Sequence, residues 1–410
     1  MAAPASCTTA PPPTGSPENE RSYAITSARV RLALAGAALC MLVMGLVTAL
    51  LGAAAPFTAE RFGIGVAASG LPVSVYSAGS MVTVLVCGIA GKRVHPVHAI
   101  TGSLLAFAVG TAGLGVAPVW PLFLAAAGVA GAGFGGLVLF LNTAFSSGFG
   151  KHDVLVLNLL NAVYGIGAIL GPLAASTAKT SGLGIVFAAA AVACVPALVA
   201  RGSGRLIESR QATESAPIRT YLPVIIGFSA VFFFYAGIES ATGAWESTFL
   251  VAAGHPEAQA AAYTALFWAG LAIGRVVIPL AGRRLSPRLL ITSCVALSMC
   301  GLGVTMLPGL GPAGFALTGF AIGPIFPTAF VWMAQAMPTS HTISSILLTA
   351  AMAGNATFPA LVGLGVSGLS PLAIPVMIIV IGLIVLCAIQ LTQRVSGARP
   401  RPEAKTMALD

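Results

Sequence analysis

The sequence predicts an all-α membrane protein whose twelve transmembrane helices form two pseudo-symmetric six-helix bundles. Three observations predict this fold. Only 8% of the 410 residues are Asp, Glu, Lys or Arg and the mean hydropathy is +0.95, whereas soluble domains carry about 25% charge. The apolar runs are as long as a bilayer is thick, and motifs of the first half recur in the second.

Twelve apolar runs have roughly the 20 residues that a membrane-spanning helix needs. Barrel strands would instead alternate apolar and polar residues and be about 10 residues long. Between the runs, Lys and Arg occur one to four at a time without forming a basic face, so no nucleic acid partner is expected. The predicted spans are 32–54, 69–91, 98–118, 120–145, 153–178, 183–200, 221–250, 258–281, 287–307, 311–337, 341–367 and 371–392.

The distribution of basic residues predicts the orientation of the chain. With the N-terminus in the cytoplasm, seventeen Lys and Arg fall inside, and only Arg61 and Lys179 fall outside. Cytoplasmic loops carry such an excess of basic residues. We therefore expect a multi-pass protein of the plasma membrane with both termini cytoplasmic.

The longest polar stretch between spans divides the chain into halves of six spans each. Ala90–Pro96 after the second span matches Ala281–Pro287 after the eighth at an offset of 191, and a Gly and Pro pair in the fifth span recurs in the eleventh at an offset of 187. These offsets indicate a parallel repeat, and two such bundles enclose a cavity suited to alternating access. The predicted units are a disordered cytoplasmic tail 1–31, an N-terminal bundle 32–200, a cytoplasmic linker 201–220, a C-terminal bundle 221–392 and a cytoplasmic tail 393–410.

Three ionisable residues lie within the predicted spans, namely Glu239, Glu246 and Arg275. A charge at mid-membrane costs about 2.5–3.5 kcal/mol, so each needs a reason. Counted from Tyr221, Glu239 lies about 27 Å along the seventh helix, in the outer half of the bilayer, and Glu246 lies about 37 Å along, at the outer interface. A solvated helix end explains Glu246 as well as a functional role does. Arg275 lies about 12 Å from the cytoplasmic loop, so we expect no direct pair with Glu239.

Glu239 is the central candidate for function. An acid in the membrane without a cationic partner is a candidate proton-binding group, and a neutral, hydrogen-bonded structural Glu is the alternative. Helical spacing places Tyr235, Glu239, Thr242 and Glu246 on one face. Aromatic rings beside hydrogen-bonding groups suit sugars, so Tyr235 and Trp245 are predicted to line a substrate site. The alternative for both is the aromatic belt at the interface, above all for Trp245.

Further polar and aromatic residues lie in the fourth, fifth, eighth, tenth and eleventh spans. Each either binds the substrate or bonds a neighbouring helix. The predicted substrate-binding set adds Asn142, Asn161, Tyr164, Trp268, Gln335 and Asn355, and the same pattern includes Asn158 and Trp332.

Two motifs that resemble other kinds of site are interpreted structurally. Gly131–Gly136 satisfies G-x-G-x-x-G, but no strand precedes it and it lies in an apolar run, so we expect helix packing rather than a dinucleotide site. His95 and His98, three residues apart, with His152 do not match the spacings of known metal sites, which have more ligands, so we expect solvated loop histidines. No activated nucleophile or paired catalytic carboxylates stand out. The sequence therefore predicts no enzyme, no cofactor and no metal.

The sequence resembles the major facilitator superfamily over all twelve spans. Within it, four patterns are similar to the fucose-galactose-glucose/proton symporter group. They are Tyr235-x-Gly237-x-Glu239-x-x-x-Gly243-x-Trp245, Asn161-x-x-Tyr164-Gly165-x-Gly167-x-x-x-Gly171-Pro172, Trp268-x-x-x-x-x-Gly274-Arg275 and Gly323-Pro324-Ile325-Phe326-Pro327. The resemblance implies the major facilitator fold and sugar transport coupled to protons.

The sequence departs from this resemblance in two places. Lys92 stands before Arg93 where the superfamily usually has an Asp, and the acids of the group's first and fourth spans are missing. Proton coupling would then rest on Glu239 alone or follow another route. Arg93, Arg275 and Arg284 are expected to act in gating, and the alternative for Arg275 is to snorkel to the headgroups.

We therefore expect a secondary active transporter that moves a small polar solute, by resemblance a sugar, across the plasma membrane by alternating access with protons as the coupling ion. Proton-driven efflux of hydrophobic small molecules is the alternative within the class, because the spans hold few ionisable groups. A non-transporting membrane receptor is the alternative from another class, although a receptor does not need a pseudo-symmetric cavity. A monomer in the lipid bilayer is expected.

Overall fold

The computed structural model describes residues 28–90, 94–145, 153–203, 218–337 and 341–397. Within these ranges, twelve helical segments are long and apolar enough to cross a membrane, and their ends agree with the predicted spans within four residues. The all-α fold class is confirmed. Most of the predicted tails and linker, together with Lys92, Arg93 and His152, lie outside the described residues. The helices are Ala28–Ala53, Ala55–Phe62, Leu71–Ala90, Pro96–Val116, Trp120–Phe145, Asp153–Ala197, Ile218–Ala252, Glu257–Ala281, Pro287–Thr305, Gly311–Ile322, Ile325–Ala336, His341–Gly368 and Ile374–Gly397, with 3-10 turns at Val66–Ala68, Leu198–Ser203 and Pro371–Ala373.

The repeated loop motif starts an equivalent helix in each half. Pro96 begins the third span and Pro287 begins the ninth, each in the first turn. Proline is tolerated there because the first N–H groups of a helix have no partner within the helix. Ser286 also caps the ninth span, with its hydroxyl oxygen accepting from the Leu289 N–H at 3.3 Å. The repeat seen in the sequence therefore has a structural cause.

The fifth and sixth spans, Val156–Ala178 and Gly182–Ser203, follow each other almost without a loop, and most of both lies in the helical segment Asp153–Ala197. At one end of the bundle, a Cβ on Gly184 would lie 2.9 Å from the Gly115 carbonyl oxygen, near the end of the third span. At the other end, Ala200 contacts Gly36, near the start of the first span. The sixth span therefore runs antiparallel to the first and third.

The tenth span differs from its prediction as a single helix over 311–337. It consists of two helices, Gly311–Ile322 and Ile325–Ala336, separated at Gly323 and Pro324. Proline has no N–H for the helical ladder and its ring clashes with the preceding turn, which breaks a helix at this point. The residue four places after Gly323 is Pro327, which has no N–H, so the Gly323 carbonyl oxygen is free to accept a side-chain hydrogen bond from a neighbouring span.

Two hydrophobic cores hold the bundle together. One contains buried residues between 37 and 200 with Ala261 added, and the other contains buried residues between 224 and 389 with Ala49 and Ala168 added. The three exceptions are alanines at which the two halves touch. Small residues at such places let helix backbones approach closely.

The two halves pack tightly at one end of the molecule, where the odd-numbered spans finish, and we call this the outer end. A Cβ on Gly52 of the first span would collide with the Gly243 carbonyl oxygen of the seventh. A Cβ on Gly70 would lie 2.7 Å from the Trp245 ring. Glycine therefore permits these approaches. The contact layer, called the outer seal, comprises Gly52, Ala67, Gly70, Gly243, Trp245, Pro359 and Gly363.

Candidate transport site

A cavity lies between the two halves, below the outer seal. It encloses about 650 Å³ of space not occupied by atoms, its open mouth included. Seven spans contribute to its wall. The lining residues are Thr48, Leu51, Val73, Tyr76, Ser77, Ser80, Phe134 and Tyr164 from the first half, and Glu239, Ser240, Gly243, Trp268, Met352 and Asn355 from the second.

Glu239 is the one acidic or basic side chain among these lining residues. Its Oε2 accepts a hydrogen bond from the Tyr235 hydroxyl, one turn earlier in the seventh span. Tyr235 is buried behind the cavity wall, with 2% of its surface exposed. Within the described part of the chain, no other hydrogen bond reaches the Glu239 carboxyl group. The second carboxyl oxygen is therefore available to a bound solute or a proton.

The first half supplies hydroxyl groups on the opposite wall. Thr48 donates to the Met44 carbonyl oxygen at 2.8 Å, and its oxygen also lies 3.2 Å from the Tyr76 hydroxyl. Because the single Thr48 proton points to Met44, Tyr76 is the donor in the second bond. Ser80 donates to the Gly131 carbonyl oxygen at 2.8 Å. These bonds fix the hydroxyl-bearing side chains of the first and second spans.

Aromatic rings form rigid parts of the cavity wall. Phe134 lies between two tyrosines, with ring centroids 5.2 Å from Tyr76 and 6.4 Å from Tyr164. Across the cavity, Trp268 is held by an edge contact with Phe267 at 5.3 Å. Fixed aromatic rings suit the C–H faces of a ring-shaped solute, because the aromatic side chains are already ordered before the solute binds.

The structure brings four of the nine predicted substrate-binding residues to the cavity wall, namely Tyr164, Glu239, Trp268 and Asn355. Tyr235 adjoins them through Glu239. The other four do not line the cavity. Asn161 donates to the Leu157 carbonyl of its own helix at 2.9 Å, Gln335 is exposed, Asn142 is half-buried and Trp245 is fully buried.

Trp245 lies in the outer seal rather than in the wall of the cavity. Its indole N–H donates to the Pro359 carbonyl oxygen at 2.9 Å. Its ring contacts Gly70 of the first half and Gly363 of the eleventh span. Trp245 therefore closes the layer above the cavity, and it does not belong to the aromatic belt because none of its surface is exposed.

Glu246 is also buried, and it is not the solvated helix end that the sequence left open. None of its surface is exposed, and neither carboxyl oxygen has a hydrogen-bond partner within the described residues. The rise along a helix gave its depth, but the depth did not show that neighbouring helices cover it.

The arginines predicted to act in gating have different environments. Arg275 is half-buried, and its Nε donates to the Gly323 carbonyl oxygen at 3.2 Å, which ties the eighth span to the break in the tenth. It forms no ion pair with Glu239, as expected, in the described part of the chain. Arg284 is exposed, and Arg93 lies outside the described residues.

The sequence analysis missed the contribution of the second span. Tyr76, Ser77 and Ser80 line the cavity there, with Thr48 from the first span. A signal was present, because Ser74, Ser77 and Ser80 recur every three residues in an otherwise apolar run. That spacing marks one polar face of a membrane helix, which must contact protein or water.

Comparisons with known proteins agree with this architecture. The chain is similar to a bacterial homolog of the human lysosomal transporter Spinster in an inward-facing and unoccupied conformation, with 13% identity over 93% of this chain and 98% of that chain and a TM-score of 0.71. It is also similar to the nucleoside transporter NupG, with 12% identity over 88% of this chain and 99% of that chain and a TM-score of 0.69. At these identities the likeness establishes the fold. No curated protein sequence matches the chain.

The family assignment rests on a match that covers most of the chain. The profile of the Major Facilitator Superfamily, a family of transporters, matches residues 37–359. The match is to the superfamily, so the resemblance to the fucose-galactose-glucose/proton symporter group stays a prediction. Twelve spans and this match together make the chain a multi-pass membrane protein and a member of the Major Facilitator Superfamily.

Proposed function

We propose that this protein is a secondary active transporter that moves a small polar solute, first of all a sugar, by alternating access with protons as the coupling ion. The observation that carries the proposal is a cavity built by both halves in which Glu239 is the single acidic or basic lining side chain. The proposal places the protein in the plasma membrane as a monomer with both termini in the cytoplasm. The outer end of the molecule then faces the outside.

The lining supports a solute rich in hydroxyl groups. Sugar hydroxyls need paired donors and acceptors, which Glu239, Asn355 and Tyr164 supply from both halves. Trp268 and Phe134 supply aromatic faces on which the C–H groups of a sugar ring can pack. Nucleosides share the sugar ring, and one of the similar folds is a nucleoside transporter, so nucleosides belong in the first screen.

The coupling proposal rests on the arrangement of the seventh span. Protonation of Glu239 removes the one negative charge among the described lining residues, and solute binding responds to that change because the carboxyl group faces the same space. Tyr235 holds one carboxyl oxygen in place, so the other is presented to the cavity. The predicted first and fourth spans contain no acid that could replace this function.

Efflux of hydrophobic molecules remains the second candidate because part of the lining favours it. Leu51, Val73, Phe134 and Met352 form apolar wall on both sides of the cavity. A lipophilic cargo would use this surface, and Glu239 would then respond to protons without binding cargo. A non-transporting receptor is disfavoured because both halves build the cavity and meet in a seal at one end.

Interior pH in proteoliposomes tests substrate and coupling together. Sugars, nucleosides and lipophilic drugs are added in turn to vesicles containing the native protein or Glu239→Gln, with Glu60→Gln as a control for an exposed acid outside the cavity. We expect a sugar or nucleoside to evoke proton movement with the native protein and the control but not with Glu239→Gln. Proton movement evoked only by drugs, and equally in all three proteins, would refute both the proposal of a sugar substrate and the coupling role of Glu239.

A further inference from the structure

Glu246 is a second buried carboxyl group on the seventh span, and the cavity does not include it. It lies seven residues beyond Glu239, about 10 Å further along the helix towards the outer end. None of its surface is exposed. Neither Oε1 nor Oε2 has a hydrogen-bond partner among the described residues. A carboxyl group buried in this way requires an explanation.

The surroundings of Glu246 place it in the contact layer between the halves. Trp245, the preceding residue, packs against Gly70 of the first half and donates to the Pro359 carbonyl oxygen. Gly243, one turn before it, meets Gly52 backbone to backbone. Alternating access requires this outer seal to open. Glu246 lies one turn beyond Gly243 and two turns beyond Glu239, on the face of the seventh span that meets the first half, so opening of the seal would uncover it.

Among the residues that the structure describes, no hydrogen-bonding partner compensates a charge on Glu246. The charged and titratable groups on the described elements packed at the outer end are Glu60, Arg61, His255, Glu257 and Tyr263, and none of them hydrogen-bonds to Glu246. The Arg61 guanidinium donates to the Ala117 carbonyl oxygen at 2.9 Å and lies 4.9 Å from the Phe62 ring centroid. The hydroxyl groups of Ser247 and Thr248 are likewise buried without hydrogen-bond partners in the described ranges.

An ionised carboxylate in such a place would lose its hydration without receiving a hydrogen bond or an opposite charge. A buried group of this kind takes its neutral form instead. The Glu246 carboxyl therefore carries a proton while the outer seal is closed. When the seal opens, water reaches the group, its ionised form becomes hydrated, and the proton can leave to the outer solution.

We propose that Glu246 is a proton-binding site of the outer seal, separate from Glu239, that is protonated when the seal is closed and ionises when the seal opens. The inference rests on the proposed alternating access. Because the closed state binds one more proton than the open state, a fall in outer pH favours closure. One site changes the ratio of closed to open molecules by at most about tenfold per pH unit.

The distance across the outer end reports this equilibrium directly. Spin labels at Val116→Cys, at the end of the third span, and Leu307→Cys, after the ninth, lie on opposite halves at exposed positions. They are introduced after the native cysteines have been replaced by alanine, and distances are measured in lipid nanodiscs between pH 5 and pH 9. We expect the short-distance population to rise as the pH falls. An unchanged distribution would overturn the proposal.

Three variants of the labelled protein assign the effect. Glu246→Gln keeps the shape and removes the titration, so the short distance should persist at all pH values, whereas Glu246→Asp should keep a pH dependence. Glu239→Gln should also keep it, even though transport coupling is lost. If Glu246→Gln still responds to pH and Glu239→Gln does not, the proposal for Glu246 falls and the proposed function stands.

Discussion

The Tyr235 hydroxyl donates a hydrogen bond to Oε2 of Glu239, and this bond joins the buried interior of the second half to the cavity. The two residues are one helical turn apart, so the seventh span alone sets their relative position. Tyr235 is fixed by its burial, and Glu239 lines the cavity between the two halves. The bond therefore determines which carboxyl oxygen meets the solute.

Replacing Tyr235 by Phe should impair coupled transport while leaving the fold intact. The ring still fills its space, but Glu239 loses its donor, and a hydrogen bond to a charged group contributes about 1.5–3 kcal/mol. We expect gradient-driven uptake to fall roughly tenfold or more. Tyr263→Phe is the matched control, since the Tyr263 hydroxyl accepts from Gln259 one turn away at an exposed position. Equal losses in both variants would show that the Tyr235 bond has no special role.

Gly52→Ala should prevent the outer seal from closing. The added methyl group would collide with the Gly243 carbonyl oxygen, which belongs to the backbone and cannot rotate away. Overpacking of this kind costs about 1–3 kcal/mol. We expect the distance between labels on the third and ninth spans to lengthen and transport to fall. Gly65→Ala, at the same end with no atom within 4 Å of its Cβ, should leave both unchanged.

The two tryptophans of the second half should respond differently to replacement by Phe. Trp268 lines the cavity, so Trp268→Phe should weaken solute binding about two- to tenfold. Trp245 closes the seal and donates to Pro359, so Trp245→Phe should lower the apparent melting temperature and leave the dissociation constant within about twofold. Calorimetric binding and thermal unfolding measure the pair. Loss of affinity in Trp245→Phe without loss of stability would show that Trp245 contacts the solute and does not serve mainly to close the seal.

Arg275→Gln should destabilise the second half. The guanidinium donates to the Gly323 carbonyl oxygen at the break in the tenth span, and an acceptor left without its partner costs about 1–3 kcal/mol. The expected result is a lower apparent melting temperature. Arg284→Gln removes an equal charge from an exposed position and should leave that temperature unchanged. A similar change in both variants would mean that net charge, and not the bond to Gly323, sets stability.

The spans could be predicted from the sequence because the bilayer imposes both length and polarity on each helix. Glu239 could be found for the same reason, since an acid in an apolar run is costly enough to be noticed. Gly323 and Pro324 belong to a motif recognised in the sequence, but the prediction placed a single helix across them. Helix geometry gives depth along the axis, and this part of the prediction needed no tertiary information.

The rotation and the neighbours of each helix could not be predicted in the same way. Trp245 and Glu246 lie next to each other at the depth expected of an interface, but neither has any exposed surface, and Trp245 packs against Gly70 and Gly363. Tyr76 gives no signal of its own in the apolar run of the second span, although it lines the same cavity as Glu239. The side-chain amide of Asn161 donates to a carbonyl oxygen of its own helix, and the residue type alone does not reveal this bond.

Uptake of the solute found in the proton screen tests the central claim that Glu239 couples the cavity to protons. Labelled solute is followed into proteoliposomes under an inward proton gradient and, separately, by exchange against unlabelled solute without a gradient. We predict that the gradient accelerates uptake by the native protein but not by Glu239→Gln, whose exchange persists because the amide still binds hydroxyl groups. Gradient-driven uptake by Glu239→Gln at the native rate would contradict the account.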